Sequence, residues 1–166
     1  MVNNKKNEEE RKAREYAFKL LGRRDYASSR LKTKLEKRGY SQGIISRVIK
    51  YLVKASLLND RKFSLNYAYS RLKRKPRGSR VLEYELFKKG ISHQLVNEVI
   101  SSVYNEVSAE VGSPWREEDL IRKVVKKEIG QGRITDEIRR RLCGKLLRLG
   151  FSYESIEKVT KSLRTE

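Results

Sequence analysis

The sequence predicts an almost all-helical protein made of three tandem three-helix units, in the manner of helix-turn-helix repeats. Three observations carry this. One short stretch occurs three times, as Leu35-Glu36-Lys37-Arg38-Gly39-Tyr40-Ser41, Leu86-Phe87-Lys88-Lys89-Gly90-Ile91-Ser92 and Leu146-Leu147-Arg148-Leu149-Gly150-Phe151-Ser152. Apolar residues flank each copy at helical spacing. Only two prolines interrupt 166 residues rich in helix formers.

Each copy reads as one helix ending and another beginning. Gly stops a helix by adopting a left-handed conformation at little steric cost. The apolar residue after it packs back on the Leu and forward onto Ile45, Val96 or Ile156, and Ser caps the helix that follows. Leu31, Leu82 and Leu142 stand eight residues before the glycines. Val48, Val99 and Val159 stand nine after, and Leu52, Val103 and Leu163 thirteen after. The glycines are 51 and 60 residues apart, room for three short helices per unit.

The resulting division is a flexible N-terminus at 1–9 and repeats at 10–56, 57–111 and 112–166. The first repeat opens with a helix carrying Ala17, Phe18, Leu20 and Leu21, which stops near Gly22 to Asp25. Ser28 is the expected cap of the second helix, with Leu31 and Leu35 as its seam. After Gly39 the third helix carries Ile44, Ile45, Val48, Ile49 and Leu52. Asn59 or Asp60 opens the second repeat, whose first helix presents Phe63, Tyr67 and Leu72. Pro76 and Gly78 end that helix, and Ser79 starts the next. Beyond Gly90 a Val-rich helix carries Leu95, Val96, Val99, Ile100, Val103, Tyr104 and Val107. Ser113 and Pro114, followed by Glu117, Glu118 and Asp119, read as the start of the third repeat. Its first helix carries Leu120, Ile121, Val124, Val125 and Ile129 and ends at Gly130 and Gly132. Thr135 or Asp136 opens the helix with Ile138, Leu142 and Leu146. The last helix begins at Tyr153.

Charge points to a polyanion or an acidic surface as partner. The net charge is +19, from 40 Lys and Arg against 21 Asp and Glu. Six of the ten residues from Arg71 to Arg80 are basic: Arg71, Lys73, Arg74, Lys75, Arg77 and Arg80. They straddle a helix end and a turn, so they are candidates for contacting phosphates or carboxylates. Arg23, Arg24, Arg30 and Lys34 are the candidates in the first repeat, and Arg139, Arg140 and Lys145 in the third. In every repeat the charge lies on or just before the helix that precedes the Gly corner. Strung in a line, the repeats would form a basic track. Base readout by the third helices is a weak reading, since Gln42, Gln94 and Tyr153 offer thin material for it.

No catalytic constellation, metal-ligand spacing, Walker loop or dinucleotide turn is present. No cofactor or metal is expected, and an enzymatic role is set aside. His93 reads as a surface or capping residue, and Cys143 as a half-buried small residue. A single Cys forms no internal disulfide. The N-terminus lacks a signal-peptide core, and no stretch has the roughly 20 apolar residues of a membrane span, so a cytoplasmic location is expected. With no heptad seam or leftover apolar helix, a monomer is expected.

Leu57-Leu58-Asn59-Asp60-Arg61-Lys62-Phe63, then Arg71, Gly78 and Glu85-Leu86-Phe87-Lys88-Lys89-Gly90-Ile91, resembles the signature of the RecX family, regulators of the RecA recombinase. Arg23-Arg24-Asp25-Tyr26-Ala27-Ser28 with Leu31, Lys34, Leu35 and Gly39-Tyr40 fits the same family, as does Leu146 to Phe151. The likeness spans about residues 14–163. Asn59 and Arg30 depart from it, standing where acids are usual; Arg30 makes the first repeat more basic. The resemblance implies three tandem three-helix repeats in an elongated, curved arrangement. It also implies a non-catalytic protein that binds RecA and the RecA–DNA filament and dampens ATP hydrolysis, strand exchange and coprotease activity, with some members binding single- or double-stranded DNA directly. The alternative from charge alone is a general nucleic-acid-binding protein that competes for DNA.

Overall fold

The computed structural model describes residues 2–105, 116–130 and 135–162, the side chains of residues 2–5 and 105 excepted. Among these residues there are nine helices and no strand. They are α1 (Val2–Leu21), α2 (Ser28–Lys37), α3 (Gln42–Lys54), α4 (Asp60–Arg74), α5 (Ser79–Lys88), α6 (His93–Asn105), α7 (Glu117–Ile129), α8 (Asp136–Arg148) and α9 (Tyr153–Ser162). The chain divides into two compact units, Met1–Ser64 with Lys88–Ser92, and Leu65–Phe87 with His93–Glu166.

The first unit is organised on α1, α2 and α3. Its core joins Ala13, Ala17, Leu31, Leu35, Ile44, Ile45, Val48, Leu52 and Leu58, with Tyr16, Leu20, Leu21, Tyr26, Tyr40 and Ile49 packed around them. The expected seams of α2 and α3 are therefore the buried ones. Phe18 departs from the expectation: it is 41% exposed and meets Tyr51 edge to face. Helix α1 also begins well before residue 10, taking in most of the stretch expected to be a loose start. Side-chain pairs one turn apart support it there. Arg11 donates to Glu8 and Glu15, Arg14 pairs with Glu10, and Arg47 of α3 reaches Glu10 at 2.5 Å.

The Gly corners form as the local sequence requires. Gly39, Gly90 and Gly150 have φ of +89°, +78° and +87°. At the first corner Tyr40 N–H donates to the Leu35 carbonyl at 3.3 Å and Gly39 N–H to that of Glu36 at 2.9 Å. Phe151 and Gly150 make the same pair of bonds to Leu146 and Leu147. This is the Schellman arrangement, which satisfies the carbonyls a helix end leaves over. Ser152 Oγ accepts from Ser155 N–H at 3.2 Å and caps α9, whereas Ser41 makes no side-chain cap bond.

Helices α2 and α5, which precede the first two corners, start in a way the sequence does not show, whereas α8 is capped by Thr135 as expected. The α2 N-cap is Ala27, and Ser28 does not cap; its N–H instead donates to the Asp60 carboxylate at 2.7 Å, 32 residues on. Asn59 meanwhile caps α4 itself by accepting from Lys62 N–H at 2.9 Å. Beside Asp60, a Cβ on Gly90 would lie 2.1 Å from Ser29 Oγ.

The second unit repeats the device. Ser79 N–H, at the start of α5, donates to Glu117 Oε1 at 2.7 Å. The other oxygen, Glu117 Oε2, accepts from the N–H and Oγ of Ser152 at 3.1 and 2.8 Å. Gly78 N–H donates to the Leu149 carbonyl at 2.9 Å and Arg80 N–H to that of Gly150 at 3.2 Å. The backbones are so close that a Cβ on Gly78 would sit 2.1 Å from Gly150 C and O. Tyr104 Oη donates to the Arg77 carbonyl at 2.8 Å, and burial, with Glu117 and Glu83 nearby, pushes its phenol up so that it stays a donor. The core of this unit includes Leu72, Leu82, Leu86, Val99, Leu120, Ile121, Leu142, Leu146, Phe151, Ile156 and Val159. The expected α7 start at Ser113 and Pro114 lies outside the described residues, as do Val107, Gly132 and Leu163; the described helix begins at Glu117.

Candidate polyanion-binding surface

In the first unit, Arg24, Arg30, Lys34, Lys37 and Lys89 line a concavity of about 380 Å³. Asp25, Tyr26, Ala27, Thr33 and Phe63 complete its wall, so Asp25 is the one acid among ten lining residues. The helix α2 explains the grouping. Its Leu31 and Leu35 are fully buried, which turns Arg30, Lys34 and Lys37 to the solvent face. The α4 residue Phe63 and the corner residue Lys89 close the other side. The Arg24 guanidinium lies 4.8 Å from the Tyr26 ring centroid and the Lys89 ammonium 6.0 Å from that of Phe63. Both cations are thus steadied by an aromatic face. Arg30 Nη2 donates to the Lys88 carbonyl at 2.6 Å. Arg24, Arg30 and Lys34 are residues the sequence nominates, and the fold brings them together; Arg23 is exposed but does not line the concavity. Tyr26, Phe63 and Lys89 join them only through folding. Their sole trace in the sequence is inclusion in the repeat motifs.

The basic stretch from Arg71 to Arg80 does not act as a block. Arg71 is half-buried and bound to Glu85 of α5 through Nε at 2.8 Å and through Nη2. Tyr67 Oη donates to the same carboxylate at 3.0 Å. Burial alone would raise the Glu85 pKa. The bonds from Arg71 and Tyr67 outweigh it and hold the carboxyl below its ordinary value. Arg71 therefore ties α4 to α5, a bidentate use of guanidinium. Lys73, Arg74, Lys75 and Arg80 are exposed, while Arg77 is half-buried and lends its carbonyl to Tyr104. Lys73 and Arg74 share a shallow surface with Asn66, Tyr69 and Ser70.

In the third repeat Arg140 is exposed and Arg139 half-buried. Lys145 pairs with Glu128 of α7 and holds that carboxyl below its usual range. His93 is exposed, its ring 4.2 Å from that of Phe87, and Cys143 is half-buried. Among the described residues, no three His, Cys, Asp or Glu side chains are grouped so as to hold a metal ion, and no helix is long and apolar enough to cross a membrane.

An all-α chain of repeated three-helix units, with cationic surfaces on its helix faces, defines a helical-repeat protein. Residues 13–52 match the profile described as RecX, first three-helix domain, and residues 59–100 that of the second. The regulatory protein RecX of Mycobacterium sp. (strain JLS) is 30% identical over 164 residues, covering 95% of this chain and 85% of that protein. That of Chlorobium phaeobacteroides (strain BS1) is 38% identical over 93 residues, which span 56% of this chain and 62% of that protein. The crystal structure of RecX from Lactobacillus salivarius aligns with a TM-score of 0.78 at 20% identity, over 96% of this chain and 99% of that one, and so shares the fold. The chain belongs to the RecX family of regulatory proteins.

Proposed function

We propose that this protein binds RecA and its nucleoprotein filament and lowers RecA's ATPase, strand-exchange and coprotease activities. Family membership along almost the whole chain carries the reading. The charge of +19 supports it, since a RecA–DNA filament carries phosphate along its length. Repeats 10–56, 57–111 and 112–166 would each make a modest contact, and their linkage raises effective concentration along a periodic partner. Exposed Lys73, Arg74, Lys75 and Arg80 are the central contacts in this reading; Arg71 supports them from behind through Glu85.

The test is RecA's ATP hydrolysis on saturating single-stranded DNA with sub-stoichiometric protein. Inhibition at far fewer molecules than DNA sites is expected. Inhibition only when the protein is abundant enough to coat the DNA would instead favour the second reading, competition for nucleic acid, which the charge excess alone supports.

A further inference from the structure

The concavity on α2 can be compared with the same positions one repeat later. Counted back from its Gly corner, Arg30 corresponds to Val81, Thr33 to Tyr84, Lys34 to Glu85 and Lys37 to Lys88. Lys89, just before Gly90, corresponds to Leu149. Both sites have the same backbone plan, a carboxylate at the helix N-terminus and a Gly corner against it. Arg24 and Tyr26 correspond to Lys75 and Arg77, so the second has three cations where the first has five. The fold therefore does not require the charge at Arg30, Lys34 or Lys89. Like charges gathered there repel one another. Among the described residues, Lys34 and Lys37 have no carboxylate within ion-pairing distance, and Asp25 is the one acid lining the site.

From this contrast we infer that the concavity of Arg24, Arg30, Lys34, Lys37 and Lys89 is a binding site for a nucleoside phosphate, supplied by a single strand or by a free nucleotide. The phosphate lies on Arg30, Lys34 and Lys37. The base adds to the stack that Arg24 makes on Tyr26, as bases do on guanidinium planes. The volume, about 380 Å³, is at the small end of the range of roughly 300–1,000 Å³ found for ligand pockets. The aromatic wall favours a nucleotide over an acidic peptide, which would use the cations and leave Tyr26 and Phe63 idle. The inference deepens the polyanion part of the proposed function without resting on RecA.

The experiment is fluorescence anisotropy of the full chain with a labelled oligothymidylate and no RecA, across a salt series. The doubly substituted Lys34→Gln, Lys37→Gln chain is compared with Lys50→Gln, Lys54→Gln, which removes equal charge on α3, away from every candidate contact. All four residues are exposed, so both chains keep the fold. A single-strand slope of about 0.7 per phosphate, with one phosphate in the site, predicts a fall of about 0.7 in the log-log salt slope for the first pair. Affinity falls by about tenfold or more, as expected for two charge-assisted contacts. The control pair changes both far less. Equal losses in the two variants would overturn the site, as would displacement of the oligonucleotide by polyglutamate as readily as by unlabelled strand. Competition by ATP at comparable nucleotide concentration identifies a free nucleotide as the ligand, and its failure to compete identifies the strand. Since RecA is absent, failure here leaves the filament reading standing, and loss of ATPase inhibition leaves this site standing.

Discussion

Helices α2 and α5 start differently from α8. Neither α2 nor α5 has an acid in its first turn, and each receives a carboxylate from the repeat that follows, Asp60 or Glu117. Helix α8 has Asp136 and Glu137 of its own, and Thr135 Oγ1 accepts from Ile138 N–H at 3.3 Å. The N-terminal N–H groups of α2 and α5 are met by residues far along the chain, while those of α8 are met by its own first turn. The corners differ in the complementary sense. Gly90 and Gly150 have side chains pressed against the missing Cβ, whereas nothing lies within 4 Å of it at Gly39, the corner of the first repeat. Tyr40 is accordingly half-buried while Ile91 and Phe151 are buried. Helix starts in this molecule are thus of two kinds, met from a distance at α2 and α5 and locally at α8.

The largest effect that would break or uphold this comparison is steric. Gly78→Ala places a methyl 2.1 Å from Gly150 backbone, which cannot swing away as a side chain can. A loss of about 3 kcal/mol is expected in urea denaturation. Gly39→Ala, in open space with positive φ, should lose about 1 kcal/mol from backbone strain alone. If the two cost the same, the contact at Gly78 is not a close-packed one.

Next comes the carboxylate shared between α5 and α9. Glu117→Ala removes the acceptor for Ser79 N–H and for both donors of Ser152, and should lower stability by about 2 kcal/mol. Thr135→Ala removes one long cap bond at the array's end and should cost about 0.5 kcal/mol. Equal losses would mean that interior and terminal helix starts are not stabilised differently.

The smallest effect is a pH dependence within α4 and α5. The folded pKa of Glu85 lies below its ordinary 4.5, because the Arg71 and Tyr67 bonds outweigh burial. A depressed carboxylate contributes stability that is present above the unfolded value and is lost as pH falls through the folded one. The stability gap between the native chain and Glu85→Gln should therefore be constant near neutrality and narrow below pH 4.5. Denaturation midpoints from pH 7 downward measure it. A gap that does not change with acid would show that the Glu85 charge contributes nothing to stability.

The corners were legible because their chemistry is short-range. A Leu, a Gly four residues on, an apolar residue and a Ser lie within seven positions, and the periodicity around them marks the buried seam. Leu31, Leu82 and Leu142 are all buried, as are Val48, Val99 and Val159. The candidate site was legible only in part. Charge excess singles out Arg24, Arg30 and Lys34, but the ring under Arg24 and the wall formed by Phe63 and Lys89 come from folding. Arg71 is the instructive case. Its neighbours in sequence are cations, so it reads as one more surface charge, while its partner Glu85 lies 14 residues away on α5.

The sequence by itself determined nine helix positions among the described residues, most of their buried faces, the left-handed glycines of the three corners and the strongly cationic balance. Each depends on residues within a turn or two, or on composition. Only the tertiary structure decided how α2 and α5 are capped, which cations converge and which are spent inside the protein. The carboxylates that cap them stand 32 and 38 residues from the N–H groups they accept from. No local pattern encodes such a pairing; it exists because stacking one repeat on the next brings an acid to a helix end that needs one.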